Sequence, residues 1–160
     1  MRRLPVMCLL LGILLCTASE AATYRRRGKV LLNDKSSTPG ATLNVALAKM
    51  CQSGYTATVR HVPESLKLQV CANYGVAQSR CNGQHYEIDH LISLELGGSN
   101  DVKNLWPQPY APKPGAREKD VLENWLAKQV CDGGMTLQDA QSKIAGDWWN
   151  AYRAMVTTPH

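Results

Sequence analysis

The residues best suited to chemistry lie in one run, Glu87-Ile88-Asp89-His90 through Gly97-Gly98-Ser99-Asn100-Asp101 to Asn104. His90 carries an imidazole whose ordinary pKa, about 6.5, lets the neutral ring take a proton at neutral pH. Asp89 stands next to it and offers a hard carboxylate oxygen, the donor type that divalent cations such as Mg²⁺ accept. Asn104 follows His90 by fourteen residues and brings an amide that can fix a neighbouring segment by hydrogen bonds. These types describe a general base, a cation ligand and a positioning amide. Each also has a plain structural reading. A single His in a half-buried strand is commonly a hydrogen-bonded core residue, Asp89 suits a turn or cap, and Asn104 suits an Asx turn.

The elements that must position these groups follow from the surrounding pattern. Residues 87–96 alternate Ile88, His90, Ile92, Leu94 and Leu96, which predicts an extended segment. Neighbouring side chains of a strand point to opposite faces, so joint use of Asp89 and His90 requires a strand end or distortion there. Residues 97–101 have strong turn chemistry, and 104–107 are short and extended before the prolines at 107, 109, 112 and 114. Residues 116–130 predict a helix, with Leu122, Trp125, Leu126 and Val130 on one face. Gly133-Gly134 breaks the chain. Thr136-Leu-Gln-Asp139 resembles a capping box and opens a last helix, over about 137–153, on which Ala140, Ile144, Trp148 and Tyr152 share a face. A further helix is expected over 63–74, started by Pro63 and ended by Gly75. Residues 41–50 stay ambiguous.

The N-terminus has a different character. Arg2 and Arg3 precede an apolar run from Val6 to Cys16, and small residues at Ser19 and Ala21 suit a signal peptidase. Residues 1–21 therefore read as a secretory signal peptide. The run is short of the roughly 20 residues needed to span a bilayer. Cys16 invites a lipoprotein reading, but Leu15 is bulky where a lipoprotein peptidase needs a small residue. No later segment is apolar enough to cross a membrane. Loss of Arg2, Arg3 and Glu20 lowers the net charge from +5 to +4. That mildly basic balance permits an anionic partner without demanding one. Residues 22–40, with Arg25-Arg26-Arg27-Gly28-Lys29, read as a basic flexible leader, and 41–160 as a single domain. At 160 residues, 44% hydrophobic and 19% charged, the chain argues against wholesale disorder and against a second full domain.

The combination of Asp89-His90, Gly97-Gly98-Ser99-Asn100-Asp101 and Asn104-Leu105 resembles the HNH endonuclease family, over about residues 87–130. Val59-Arg-His-Val-Pro63, Lys119 to Asn124 and Ala140 to Trp148 are similar to small secreted bacterial HNH-type nucleases. The resemblance implies an α+β fold, a ββα-metal finger over about 86–130 with further helices packed on it. It implies a metal-dependent endonuclease that hydrolyses phosphodiester bonds of DNA or RNA. In the family the His is the general base, the preceding Asp is a metal ligand and the Asn is a positioning residue. Those roles are implied here for His90, Asp89 and Asn104. One departure stands out. The family's third element is a His or Asn followed three residues later by Lys or Arg. The nearest phrase here is Ala116-Arg117-Glu118-Lys119, and Ala cannot ligate a metal. The expected ligand set is Asp89 with Glu118, Asp120 or Glu123 and waters, for Mg²⁺, with Mn²⁺ or Zn²⁺ as alternatives. Glu118 and Asp120 also suit the first turn of a helix simply as acids at its positive end. The alternative function is a non-catalytic exported binding or structural protein that keeps the finger.

Lys103, Lys113, Arg117 and Lys119 are candidates to line a phosphate track. Trp106 is a candidate to stack on a base, or a core residue pinned by Pro107. None of this forms a base-reading device, so little sequence specificity is expected. Nucleic acid is the expected partner, the protein is expected to be a monomer, and the destination is the periplasm or the medium. Four cysteines follow the leader, Cys51, Cys71, Cys81 and Cys131, an even count that suits disulfides in an exported chain. Three connectivities exist. The short Cys71–Cys81 spacing around a glycine-containing turn favours that bridge, with Cys51–Cys131 as the other.

Overall fold

A computed structural model describes residues 21–158. The expected signal peptide, save Ala21, lies outside the described residues, as does His160. The described chain is α+β, with five helices, two small antiparallel sheets and two disulfides. No helix among the described residues is long and apolar enough to cross a membrane.

The first sheet corrects the expectation of a flexible leader. Strands β1 (Arg25–Arg27) and β2 (Val30–Leu32) form a hairpin that pairs Arg25 with Leu32 and Arg27 with Val30. Val30 and Leu32 are buried in the main core. The Tyr24 hydroxyl donates to the Pro107 carbonyl at 2.6 Å, and its ring lies against Tyr74 and Trp106. Basic residues dominate the composition here, yet two aliphatic side chains and one tyrosine suffice to dock the segment.

Helices α1 (Leu47–Met50) and α2 (Tyr55–Val59) are short. Helix α3 (Glu64–Asn73) starts after Pro63, as its sequence requires. Strands β3 (Tyr86–His90) and β4 (Leu105–Pro109) form the second sheet, with Asp89 opposite Trp106 and His90 opposite Leu105. A two-stranded sheet leaves each strand an unpaired edge, which tolerates Pro107 and Pro109. The extended stretch expected over 87–96 ends at His90. Beyond it the chain turns away, and Leu94–Leu96 form a 3₁₀ turn.

Helix α4 (Ala116–Cys131) packs against β3 and against α5 (Leu137–Thr157). Leu122, Leu126 and Val130 of α4 meet Ala140, Ile144 and Trp148 of α5 in the core. The Thr136 hydroxyl accepts from the Asp139 N–H at 3.1 Å and caps α5. Helix α5 breaks at Asp147, which has extended dihedrals. The Asp147 carboxylate then accepts from the Asn150 N–H at 3.1 Å and restarts the helix.

The disulfides join Cys51 to Cys131 and Cys71 to Cys81, with Cα separations of 5.7 and 6.2 Å. The first closes a span of 80 residues. In the chain-entropy model such a span stabilises by about 4–5 kcal/mol. Mass mapping of non-reduced peptides is expected to return these two pairs, and a Cys51–Cys71 peptide would refute them. Leu32→Ala should cost about 2–5 kcal/mol in urea unfolding, the usual range for a truncated core leucine. A negligible change would return this segment to the status of a loose leader.

Candidate active site

Glu87 and Asp89 are two residues apart on β3, so they share one face of the strand. Helix α4 lays Lys119, Asp120 and Glu123 along that side. Lys119 is fully buried. Its ammonium donates to Asp89 Oδ2 at 2.7 Å, to the His90 carbonyl at 2.8 Å and to Glu123 Oε1. All three N–H bonds are thus used. Burial works against the Lys119 charge, but Asp89 and then Glu123 outweigh it, and its pKa is raised. The Trp106 indole N–H also donates to Asp89 Oδ2, at 2.9 Å. One oxygen of Asp89 is therefore committed twice, while Oδ1 has no hydrogen-bond partner among the described residues.

His90 closes β3, and its Nε2 lies 2.8 Å from Asn100 Oδ1. The Asn100 amide nitrogen donates to the Val59 carbonyl at 2.9 Å, which fixes which end of the amide faces the ring. An amide oxygen only accepts, so Nε2 carries the proton and Nδ1 keeps the lone pair of the neutral ring. Burial lowers the His90 pKa, against an opposing pull from Asn100 and Asp89. The ring therefore stays neutral to lower pH than a free imidazole.

Asn104 is fully buried and works one step further away. Its side chain accepts from the Ile92 N–H at 2.9 Å and donates to the carbonyls of Ile92 (3.0 Å) and Ser99 (2.9 Å). It clamps the loop that follows His90 rather than touching the ring. Gly98 lies under the same clamp. A Cβ there would sit 1.8 Å from the Ile92 carbonyl oxygen, so only glycine fits.

Glu87, Asp89, His90, Asp120, Ser93 and Arg60 line one cavity of about 330 Å³. One carboxylate oxygen from each of Glu87, Asp89 and Asp120 lies within 4.8 Å of the others. Burial, and then the neighbouring Asp89 charge, raises the pKa of both Glu87 and Asp120. The Asp89 contribution reflects neighbouring negative charge, which a bound cation would relieve. Three hard oxygen donors suit Mg²⁺ or Mn²⁺ better than Zn²⁺, which favours nitrogen and sulfur. The Ser93 hydroxyl is buried and has no partner among the described residues.

The sequence-based site divides accordingly. Asp89, His90 and Asp120 come together in the cavity. Glu118 does not join them, because its carboxylate accepts from the Gly115 N–H at 2.7 Å and caps α4. Glu123 lines the cavity, but its carboxylate is held by Lys119 and not by the acidic cluster. Lys119 and Trp106 are buried, so neither can serve as a phosphate contact or a stacking surface. Lys103 and Lys113 are exposed but do not line the cavity, and Arg117 lies over the Tyr110 ring, 5.7 Å from its centroid.

Three residues of the site were missed. Glu87 had a readable signal, its two-residue spacing from Asp89 on a strand. Asn100 lies in the turn over 97–101, and the sequence there carries only turn chemistry. Arg60 lies in the Val59–Pro63 segment that carries part of the resemblance, but its place at the cavity depends on the tertiary bond between Asn100 and Val59.

No family model matches the chain, and no curated protein or solved structure matches it either. The buried ion pairs generate a direct stability test. Lys119→Met should destabilise the protein by about 3–5 kcal/mol, because two buried carboxylates lose their counter-ion. A loss below about 1 kcal/mol in denaturant unfolding would contradict the burial of that network.

Proposed function

We propose that this chain is an exported, metal-dependent endonuclease of HNH type that hydrolyses phosphodiester bonds of DNA or RNA with little sequence specificity. One observation carries the reading: a histidine with its proton-accepting nitrogen defined and a three-carboxylate cluster line the same cavity. The order β3, β4, α4 is that of a ββα-metal finger, which supports the likeness drawn from the sequence. Two disulfides accord with export to an oxidising compartment.

Glu87, Asp89 Oδ1 and Asp120 would hold the cation. When bound, a hard divalent cation supplies charge neutralisation at the scissile phosphate and its leaving oxygen. His90 Nδ1 takes the proton of a water molecule whose oxygen forms the new bond to phosphorus. The bond from phosphorus to the leaving oxygen breaks, and that oxygen takes a proton from solvent. Asn100 orients the ring and Asn104 holds the loop that carries Asn100. Arg60, at the cavity wall, offers a guanidinium to the phosphate oxygens.

Plasmid and RNA digestion by the oxidised protein tests the reading. His90→Ala should cut the rate by about 10²–10⁴-fold with little change in binding, since phosphate affinity comes mainly from cations. Chelation should stop cleavage. Asp120→Asn should raise the Mg²⁺ requirement at least about tenfold, since even groups behind a metal ligand cost that much. The rate should fall as the pH drops through the His90 pKa, which lies below the usual value of about 6.5, because the protonated ring cannot accept a proton. Absence of cleavage with any divalent metal would leave a non-catalytic binding protein, and equal cleavage by wild type and His90→Ala would end the reading of His90 as the base.

A further inference from the structure

The cavity at His90 does not end at the acidic cluster. Lys67, Glu87 and Ile88 also line a second cavity, of about 390 Å³, so the two form one continuous groove along β3. Tyr86 and Tyr110 line its far part. The sheet ends there, with the Tyr110 N–H donating to the His85 carbonyl at 3.1 Å beyond the Tyr86–Pro109 pair. Each ring has a guanidinium over it: Arg80 lies 5.6 Å from the Tyr86 centroid and Arg117 lies 5.7 Å from that of Tyr110. Both arginines are exposed. The Cys71–Cys81 bridge anchors the loop that presents Arg80 and Asn82.

We infer that this groove selects single-stranded nucleic acid, seating an unpaired base on Tyr86 and Tyr110 beside the scissile phosphate. The inference rests on the nuclease reading and names its substrate class. Aromatic rings flanked by cations are the elements that hold single strands without regard to sequence. The tyrosine rings offer the base a stacking surface, and the exposed Arg80 and Arg117 offer cations to the phosphates at the edge. Glu64 in the groove is neutralised by Lys67, at 3.2 Å. A base of a duplex must first leave its stack and its partner, which costs a few kcal/mol, whereas a single strand offers it freely. The groove reads no base edge through Asn82, whose amide already donates to the Ser79 carbonyl and accepts from the Gln84 N–H.

Fluorescence anisotropy in a chelating buffer measures binding without cleavage. The probes are a labelled thymidine oligonucleotide, alone and annealed to its complement, at one salt concentration. The single strand should bind at least about tenfold tighter than the duplex. Tyr86→Leu fills the same half-buried space without a π-face and should weaken single-strand binding by about 5- to 100-fold. Tyr110→Leu should act in the same direction, Tyr86→Phe should bind as wild type, and duplex affinity should move less than about twofold. Equal affinity for the two probes would overturn the inference. So would Leu variants that bind the single strand like wild type, or that lose single strand and duplex alike. Tight, tyrosine-dependent single-strand binding by a protein that cleaves nothing would uphold the groove and overturn the nuclease reading, so the two failures are distinguishable.

Discussion

The site is built on one buried ammonium. Lys119 sits among Asp89, Glu123 and the His90 carbonyl, with every donor used and its whole side chain out of water. Removing an ammonium from solvent costs several kcal/mol, and only well-formed ionic hydrogen bonds offset that. The contacts join α4 to the last two residues of β3 at the point where the strand ends. They also decide what the neighbouring groups can do. Lys119 and Trp106 both occupy Asp89 Oδ2, and Oδ1 has no hydrogen-bond partner among the described residues. Because Lys119 holds Glu123, Asp120 is the helix carboxylate that faces Glu87.

A second set of constraints brings the loop back over the strand end. Gly98 allows the Ile92 carbonyl to approach within a distance no side chain permits, and Asn104 satisfies the buried backbone on both sides of that approach. The loop then delivers Asn100 to His90. Asn100 in turn grips the carbonyl of Val59, the last residue of α2. The Cys51–Cys131 bridge ties the chain just before α2 to the end of α4. His90, the carboxylates and Arg60 are thus placed by a closed circuit of β3, the loop, α2 and α4. Loosening any one link shifts groups that are far apart in sequence.

Much of this was legible in the sequence where a local rule applied. Helices α3, α4 and α5 lie where the sequence predicts helices, α5 behind its Thr136 cap, and the apolar faces of α4 and α5 follow from their spacing. The cysteine pairing followed from the ten-residue gap between Cys71 and Cys81. Local rules failed where tertiary contacts decide. A hairpin with three-residue strands carries too little alternation to be seen against three arginines, so β1 and β2 read as a loose leader. Lysine as a residue type suggests a surface role for Lys119, whereas Asp89, thirty residues distant, draws it into the interior, and the same carboxylate holds Trp106 in the core position that Pro107 suggests. Glu118 suits both the positive end of a helix and a ligand set, and the nearby Gly115 N–H holds its carboxylate.

The central claim is that Glu87, Asp89 and Asp120 hold a divalent cation within reach of a His90 ring that Asn100 has fixed. Paramagnetic Mn²⁺ tests it without any assay of cleavage. The imidazole signals of the oxidised protein are followed by NMR as Mn²⁺ is added below one equivalent. The account predicts that the His90 signals broaden from the first additions, and that Glu87→Gln with Asp120→Asn abolishes the effect. His90 signals that stay sharp at saturating Mn²⁺, or that broaden equally in the double variant, would contradict it.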